Sequence, residues 1–334
     1  MVKTLKHFLK LKFKSKRILA SIYYTFFSRN FGREQKAVLA GKLAYEQSLK
    51  EIGETSVLLR RNIHKLEKGL IMQPRRDVFA EGVIGETVKI YERAIKDGNL
   101  NTGEKKWFTD VLTKYFTVVK NTNTIIKARE KFEACDVQDN DSKKFIPYTF
   151  DTLPELSVNY EQLHKLFLKR RSVRWYKDKD VSITLIEKAV NLATLAPSAC
   201  NRQPYSFYVS ETRKKAVEMA LCAGGTPGWA DGIPCTIAII GDLSAYPRER
   251  DRHLIYVDGS LAAMQLMLAF ETQGLSTCPI NWPDIESEEK KIATLLNLKP
   301  YERPVMLLSV GYALDQGGVA YSQKKNANTL IKKV

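Results

Sequence analysis

At 334 residues and 44% apolar composition, the chain exceeds one ordinary domain and can bury a sizeable core. Its net charge of +16 is uneven: residues 1–76 hold 18 Lys/Arg against 5 Asp/Glu, and the remaining 258 residues carry only +3. A basic surface spread over the whole molecule is excluded. The basic residues coincide with no recognisable nucleic-acid motif, so no nucleic-acid partner is expected.

Residues 1–33 contain nine Lys/Arg and no acid. Leu5, Leu9 and Phe13, then Ile18, Ile22 and Phe26, recur at helical spacing, which predicts a basic amphipathic segment. Such a helix can lie on an anionic membrane surface, or its stripe can pack on the protein itself. Both readings stay open. The run ILASIYYTFF at 18–27 is too short and too polar to span a bilayer, and small residues for a signal cleavage site do not follow it. A cytoplasmic protein is expected, with peripheral contact at the inner face of the membrane as the second option. Cys135, Cys200, Cys222, Cys235 and Cys278 form no CxxC pair, which fits reduced thiols. With four histidines, no metal site is expected.

Apolar residues at three- and four-residue steps predict helices near 34–50, 55–70, 78–97 and 104–131. The stretch RRNIHKLEKGLIMQPRRDVF at 60–79 is dense in polar groups. In a helix, His64, Glu67 and Lys68 share a face, which suits an internal ion-pair network or a surface turned to a substrate or partner. A metal site there would need further ligands. Residues 34–134 therefore read as a helical region, and the polar, Pro-punctuated 135–159 as a linker.

From 160 the pattern changes. A helix near 160–169 precedes RRSVRWY, and Ser182 is placed to cap a helix with Ile183, Ile186, Val190 and Ala193 on its apolar face. Strands are expected at 205–210, 235–241, 276–281 and 304–312, with helices at 211–222 and 254–273 between them. Residues 160–334 thus read as an α/β layered domain.

No GxGxxG follows a strand, and no Walker-type loop, GxSxG elbow or HExxH occurs. AGGTPGWADG at 223–232 precedes a strand instead of opening a helix. What remains is polar residues at segment ends: RRSVRWY (170–176), APSACNRQPY (196–205), GLSTCPINW (274–282) and SQKKN (322–326). Taken by itself, RRSVRWY suits a solvated face, a nucleic-acid contact or a phosphate pocket.

These motifs, in this order, resemble those of the nitroreductase-like flavoproteins, over roughly 163–334. RRSVRWY resembles the family's opening motif and ATLAPSACNRQPYSFYV its APSxxNxQPW segment. YVDGSLAAMQLMLAFETQGLSTC resembles its central helix and following turn. CPINW, SVGY and SQKK resemble its later loop, strand and basic tail. The resemblance implies an α/β (α+β) fold, with a central, mainly antiparallel sheet flanked by helices and a mostly helical region before it. It also implies FMN at a homodimer interface. Arg170, Ser172 and Arg174 correspond to flavin contacts, with Arg174 as the cation that stabilises the reduced ring. Pro197, Ser198 and Asn201 correspond to the segment supplied by the second subunit, with Gln203 nearby. Pro279, Ile280 and Asn281 fall where a backbone N–H meets flavin N5, and Lys324 with Lys325 completes the phosphate site. Tyr205 stands where the family often has Trp, and Asn281 where it often has Glu.

The function implied is an FMN-dependent oxidoreductase. NADH or NADPH gives hydride to N5, a small organic acceptor then takes the electrons, and no side chain serves as a nucleophile. The 60–79 segment resembles one in longer nitroreductase-like proteins associated with bacterial polysaccharide synthesis. The rival reading is accordingly a flavin-fold scaffold with little or no catalysis, acting at the membrane in cell-surface polysaccharide assembly.

Overall fold

The computed structural model describes residues 16–28, 30–137 and 141–334. Two apolar clusters organise it, one in each half. In the first half, short α1 (Arg17–Ile22) leads through a π-type turn at Tyr23–Ser28 to α2 (Gly32–Ser48). Then follow α3 (Val57–Leu70), α4 (Glu81–Asp97), α5 (Thr102–Val118) and α6 (Asn123–Glu133). Polar caps set these boundaries. Ser56 accepts from the Leu59 amide, Asn101 from Glu104 and Thr122 from Ile125, while Gly98 closes α4 in the left-handed region at φ 71°. Leu59, Ile63, Leu66, Ile84, Tyr91, Phe108, Leu112 and Tyr115 from α3–α5 are fully buried together. The single helix expected over 104–131 is two: Val119 is extended and Thr122 caps a new start.

Helix α2 does not join that core. Its Ala37 packs with Leu243, Ala245, Tyr246 and Ile255 of the second half. Gly41 makes the approach possible, because a Cβ there would sit 2.8 Å from Leu243. Of the N-terminal apolar stripe, Leu5, Leu9 and Phe13 lie outside the described residues. Ile18 and Phe26 are 74% and 72% exposed among the described residues, and Ile22 is 37% exposed.

The second half is built on a four-stranded sheet of β1 (Tyr205–Val209), β2 (Cys235–Asp242), β3 (Ser276–Asn281) and β4 (Glu302–Gly311). Its order is β1-β2-β4-β3, and every pairing is antiparallel. Strand β2 is buried on both faces, so its side chains divide by parity. Ile237 and Ile239 pack under α8 (Ile183–Ala193) and α10 (Leu254–Thr272). Ala238 and Ile240 face the opposite way, toward α9 (Arg213–Ala220) and α11 (Glu286–Leu296). The result is a helix–sheet–helix stack of the mainly antiparallel kind. The helical stretch that ends in α10 is long and apolar enough to cross a bilayer, but half of it is buried in the protein, through Ile255, Ala262, Ala263, Leu266 and Phe270.

Two local expectations change. Ser182 does occupy the position before α8, but its hydroxyl makes no capping bond; its carbonyl accepts from Leu185 and Ile186 instead. Helix α11, which was not anticipated, has Glu286, Glu288 and Glu289 in its first turn, where the helix dipole favours acids.

Candidate functional site

Helix α7 (Tyr160–Lys169) opens with a reciprocal capping box between Asn159 and Gln162 and stops at Arg170, which turns extended. The chain then runs along the edge of β3. Ser172 bridges to Thr277, and the Val173 amide donates to the Thr277 carbonyl at 3.0 Å. Tyr176 pairs with Ala313, and its hydroxyl lies 2.7 Å from both the Val173 carbonyl and Ser309 Oγ. Val173 and Tyr176 are thereby buried, while Arg174 is left facing out. Arg171 turns away from its neighbours and donates to the carbonyls of Ala320 (2.6 Å) and Tyr321. This pulls the C-terminal tail back over the motif.

The fold-back encloses a cavity of about 230 Å³, whose polar lining is Arg170, Arg171, Ser172, Arg174, Ser322 and Lys324. No carboxylate lines it. Arg170 Nε is buried and has no hydrogen-bond partner among the described residues. An orphaned guanidinium nitrogen in a cationic hollow is costly unless an anion supplies the missing acceptor. Glu271 lies within electrostatic reach of Arg170, and its own burial raises its pKa.

A second cavity of about 350 Å³ adjoins the first. Pro279, Ile280 and Asn281 of β3 line it, facing Gly224, Gly225 and Trp229. Arg174 lines both spaces, with its guanidinium 5.8 Å from the centre of the Trp229 ring. Cys278 also lines the second cavity; burial raises its pKa, which keeps it a thiol and a poor nucleophile. The contribution of 224–229 was missed, because a Gly-rich stretch before a strand matches no phosphate-loop pattern.

The 197–203 segment lines neither cavity. Pro197 is exposed. Ser198 Oγ donates to Asp258 Oδ2 at 2.9 Å and accepts from the Gln203 amide at 2.7 Å. Gln203 Nε2 donates to the Thr194 carbonyl at 2.8 Å. Cys200, Asn201 and Gln203 all have positive φ, at 55°, 51° and 50°. The Asn201 side chain hydrogen-bonds no described residue. Arg60 of α3 donates to the Asn201 carbonyl (2.8 Å) and to Gln203 Oε1 (2.7 Å), a contact between halves that no motif announced. Lys325 is exposed and lines no part of the first cavity, unlike Lys324.

On α3, His64 Nδ1 lies 3.1 Å from Glu67 Oε2, and Trp107 Nε1 donates to Glu67 Oε1 at 2.9 Å. Among the described residues no group of three or more His, Cys, Asp and Glu could hold a metal ion.

A family model described as "Nitroreductase family" matches residues 167–224 and 220–312. A Bacillus subtilis protein named as an NAD(P)H nitroreductase, YdgI, is 30% identical over 190 residues, covering 46% of this chain and 88% of the relative. The chain belongs to the nitroreductase family. The B. subtilis FMN reductase [NAD(P)H] is 25% identical over 167 residues, covering 46% of this chain and 66% of the relative. A solved FMN-dependent nitroreductase from Clostridium difficile R20291 is 26% identical and covers 50% of this chain and 96% of its own, with a TM-score of 0.43. Within this chain, the matched span holds the sheet, the arginine motif and most of both cavity linings, while helices α1–α6 lie before it.

Proposed function

We propose that the protein is an FMN-dependent oxidoreductase that takes electrons from NADH or NADPH and passes them to a small organic acceptor. The observation that carries this reading is the pair of cavities meeting at Arg174, one cationic with no carboxylate in its lining among the described residues, the other lined by Pro279, Ile280 and Asn281 of β3, by Trp229 and by Glu288. The relatives named for FMN and NAD(P)H agree with it.

Arg170, Ser172 and Lys324 hold the phosphate, since guanidinium and ammonium give charge-assisted bonds to its oxygens. Arg174 puts a positive charge at the seam between phosphate and ring. Pro279, Ile280 and Asn281 border the ring. Asn281 presents no negative charge there, so its effect on the ring is steric and dipolar. Bound FMN supplies a ring that accepts a hydride and releases two electrons. The protein's part is to orient the ring and to hold compensating charge beside it.

Pro197, Ser198, Asn201 and Gln203 serve the site of a second copy, in a homodimer. Two apolar surfaces support that assembly. Helix α7 has no buried residue and exposes Leu163 and Phe167, and α10 exposes Val257, Leu261 and Met264 along one stripe.

The decisive measurement is the absorbance spectrum of the purified protein, with FMN titration of any colourless fraction. A colourless protein that takes up no FMN would overturn the reading. Peripheral membrane contact is a second, separate reading, favoured by exposed Ile18 and Phe26 beside Lys16 and Arg17. Equal sedimentation with anionic and neutral vesicles would remove it.

A further inference from the structure

Arg60 lies outside the span that the family model matches, yet it is built into the 197–203 segment. All three of its nitrogens are engaged. Nε donates to the Asn201 carbonyl (2.8 Å), Nη2 to Gln203 Oε1 (2.7 Å) and Nη1 to Glu104 Oε1 (2.6 Å). Glu104 is fixed in turn by Thr55 Oγ1 at 2.6 Å and by the Ser56 amide at 3.4 Å. The Arg60 and Glu104 side chains are only 12% and 9% exposed, and Trp107 lies under the guanidinium at 5.4 Å. This is a desolvated, fully directed arginine, unlike a surface ion pair.

The opposite end of the segment is held by Asp258, whose Oδ2 accepts from Ser198 Oγ and from the Ala199 amide (2.8 Å). Between the two anchors stand Cys200, Asn201 and Gln203, each non-glycine and each at positive φ. Such conformations persist where the surroundings over-determine them. Asp258 determines one end and Arg60 the other. What the brace leaves free is the Asn201 side chain.

We propose that Arg60 is a positioning residue of the flavin site. The helical N-terminal half, acting through this guanidinium, fixes the turn that presents Asn201 to FMN. The inference rests on the reading of 197–203 as a flavin-contacting segment. Three acceptors in three directions require the planar fork, so lysine replaces the charge without the geometry.

The test uses the full chain with FMN, read by flavin fluorescence quenching, the visible spectrum and thermal unfolding. Arg60→Ala is expected to weaken FMN binding at least tenfold and to shift the bound-flavin spectrum, with Arg60→Lys intermediate. Tyr91→Phe removes the 2.7 Å bond to Thr109 inside the same helical half. It is expected to lower the unfolding temperature with affinity and spectrum unchanged. Wild-type affinity and spectrum in Arg60→Ala would overturn the proposal; if that variant does not fold, Arg60→Lys decides on the same two readouts. Equal loss of FMN in Tyr91→Phe would overturn it too, by showing that general loosening suffices. A wild-type chain that binds no FMN would instead remove the reading underneath.

Discussion

The arginine motif and the 197–203 turn are both polar, and both sit at the ends of secondary structure, yet the fold treats them in opposite ways. Around Arg170 the hollow is lined by three arginines and a lysine; Arg171 is spent on backbone carbonyls, while Arg170 Nε is buried with no partner, and no carboxylate lines the space, among the described residues. At 197–203 Ser198, Gln203 and the Asn201 carbonyl are satisfied within the protein, Arg202 Nε is buried without a partner among the described residues, and the backbone takes positive φ at three non-glycine positions. Unmet hydrogen-bonding capacity in a hollow lined by cations suits an anionic ligand. Satisfied capacity under strain marks a surface whose shape is being controlled. On the proposed reading, the first is a binding wall and the second a braced presenter.

The largest effect should come from the open wall. Hydrogen bonds to charged groups contribute about 1.5–3 kcal/mol each. Arg170→Ala and Arg174→Ala should each weaken FMN binding by roughly tenfold to a hundredfold, with little change in unfolding temperature, because Arg174 makes only a 3.5 Å bond to the Ser172 carbonyl and a 5.8 Å approach to the Trp229 ring, and neither arginine is in an ion pair among the described residues. Wild-type FMN affinity in both variants would show that the hollow is not the phosphate site and would erase the contrast.

The braced side should respond through stability first. Helix α2 reaches Leu243 only because residue 41 has no Cβ, and Tyr246, in the same cluster, lies 3.5 Å from Asp258 through its hydroxyl. Gly41→Val should cost about 1–3 kcal/mol by overpacking, and the Asp258 anchor should loosen with it. Thermal unfolding reads the first effect, and amide hydrogen exchange at 198–203 reads the second. An unchanged melting point would mean that α2 docks without this close approach.

A smaller contrast separates two adjacent lysines. Lys324 lines the cationic cavity and Lys325 does not. Exposed charges contribute about 0–1 kcal/mol, so Lys324→Ala should weaken FMN binding by roughly two- to fivefold and Lys325→Ala not at all. The reverse order in a titration would require the tail to be rethreaded.

The two surfaces were not equally legible in the sequence. Val173 and Tyr176 are apolar positions inside a charged motif, so the outward placement of Arg174 could be anticipated, and buried runs such as CTIAIIG gave the strands within a residue or two. The hollow follows from local order. The brace does not, because Arg60 and Asn201 are 141 residues apart and nothing in RRNIHKL says which acceptor each arginine will find. Helix α2 hid for a similar reason. Its apolar residues announce a helix, but periodicity does not say which of two cores receives them. The break at 119–122 was lost because KNTN is short enough for a helical pattern to be read straight through. Ser182 shows the converse: the right residue in the right place, with its hydroxyl pointing elsewhere.

The smallest expected effect lies at the same joint between α2 and the second half. Asp242 ends β2 and accepts from the Ser244 amide at 2.7 Å. Burial raises its pKa above the ordinary 3.8, against the lowering effect of Ser244. The folded state therefore holds this proton more tightly than the unfolded chain does. The resulting stabilisation is fully present below 3.8 and is lost as pH rises through the folded value. Asp242→Asn keeps an oxygen for the Ser244 amide and carries no charge. Its unfolding temperature should exceed that of the wild type at pH 8 by about 1–3 °C, and the advantage should vanish in acid. Other carboxylates titrate in both proteins and cancel in the difference. A variant less stable than wild type at pH 8 would mean that the ionised Asp242 is a favourable anchor, which would make this end of the sheet part of the brace.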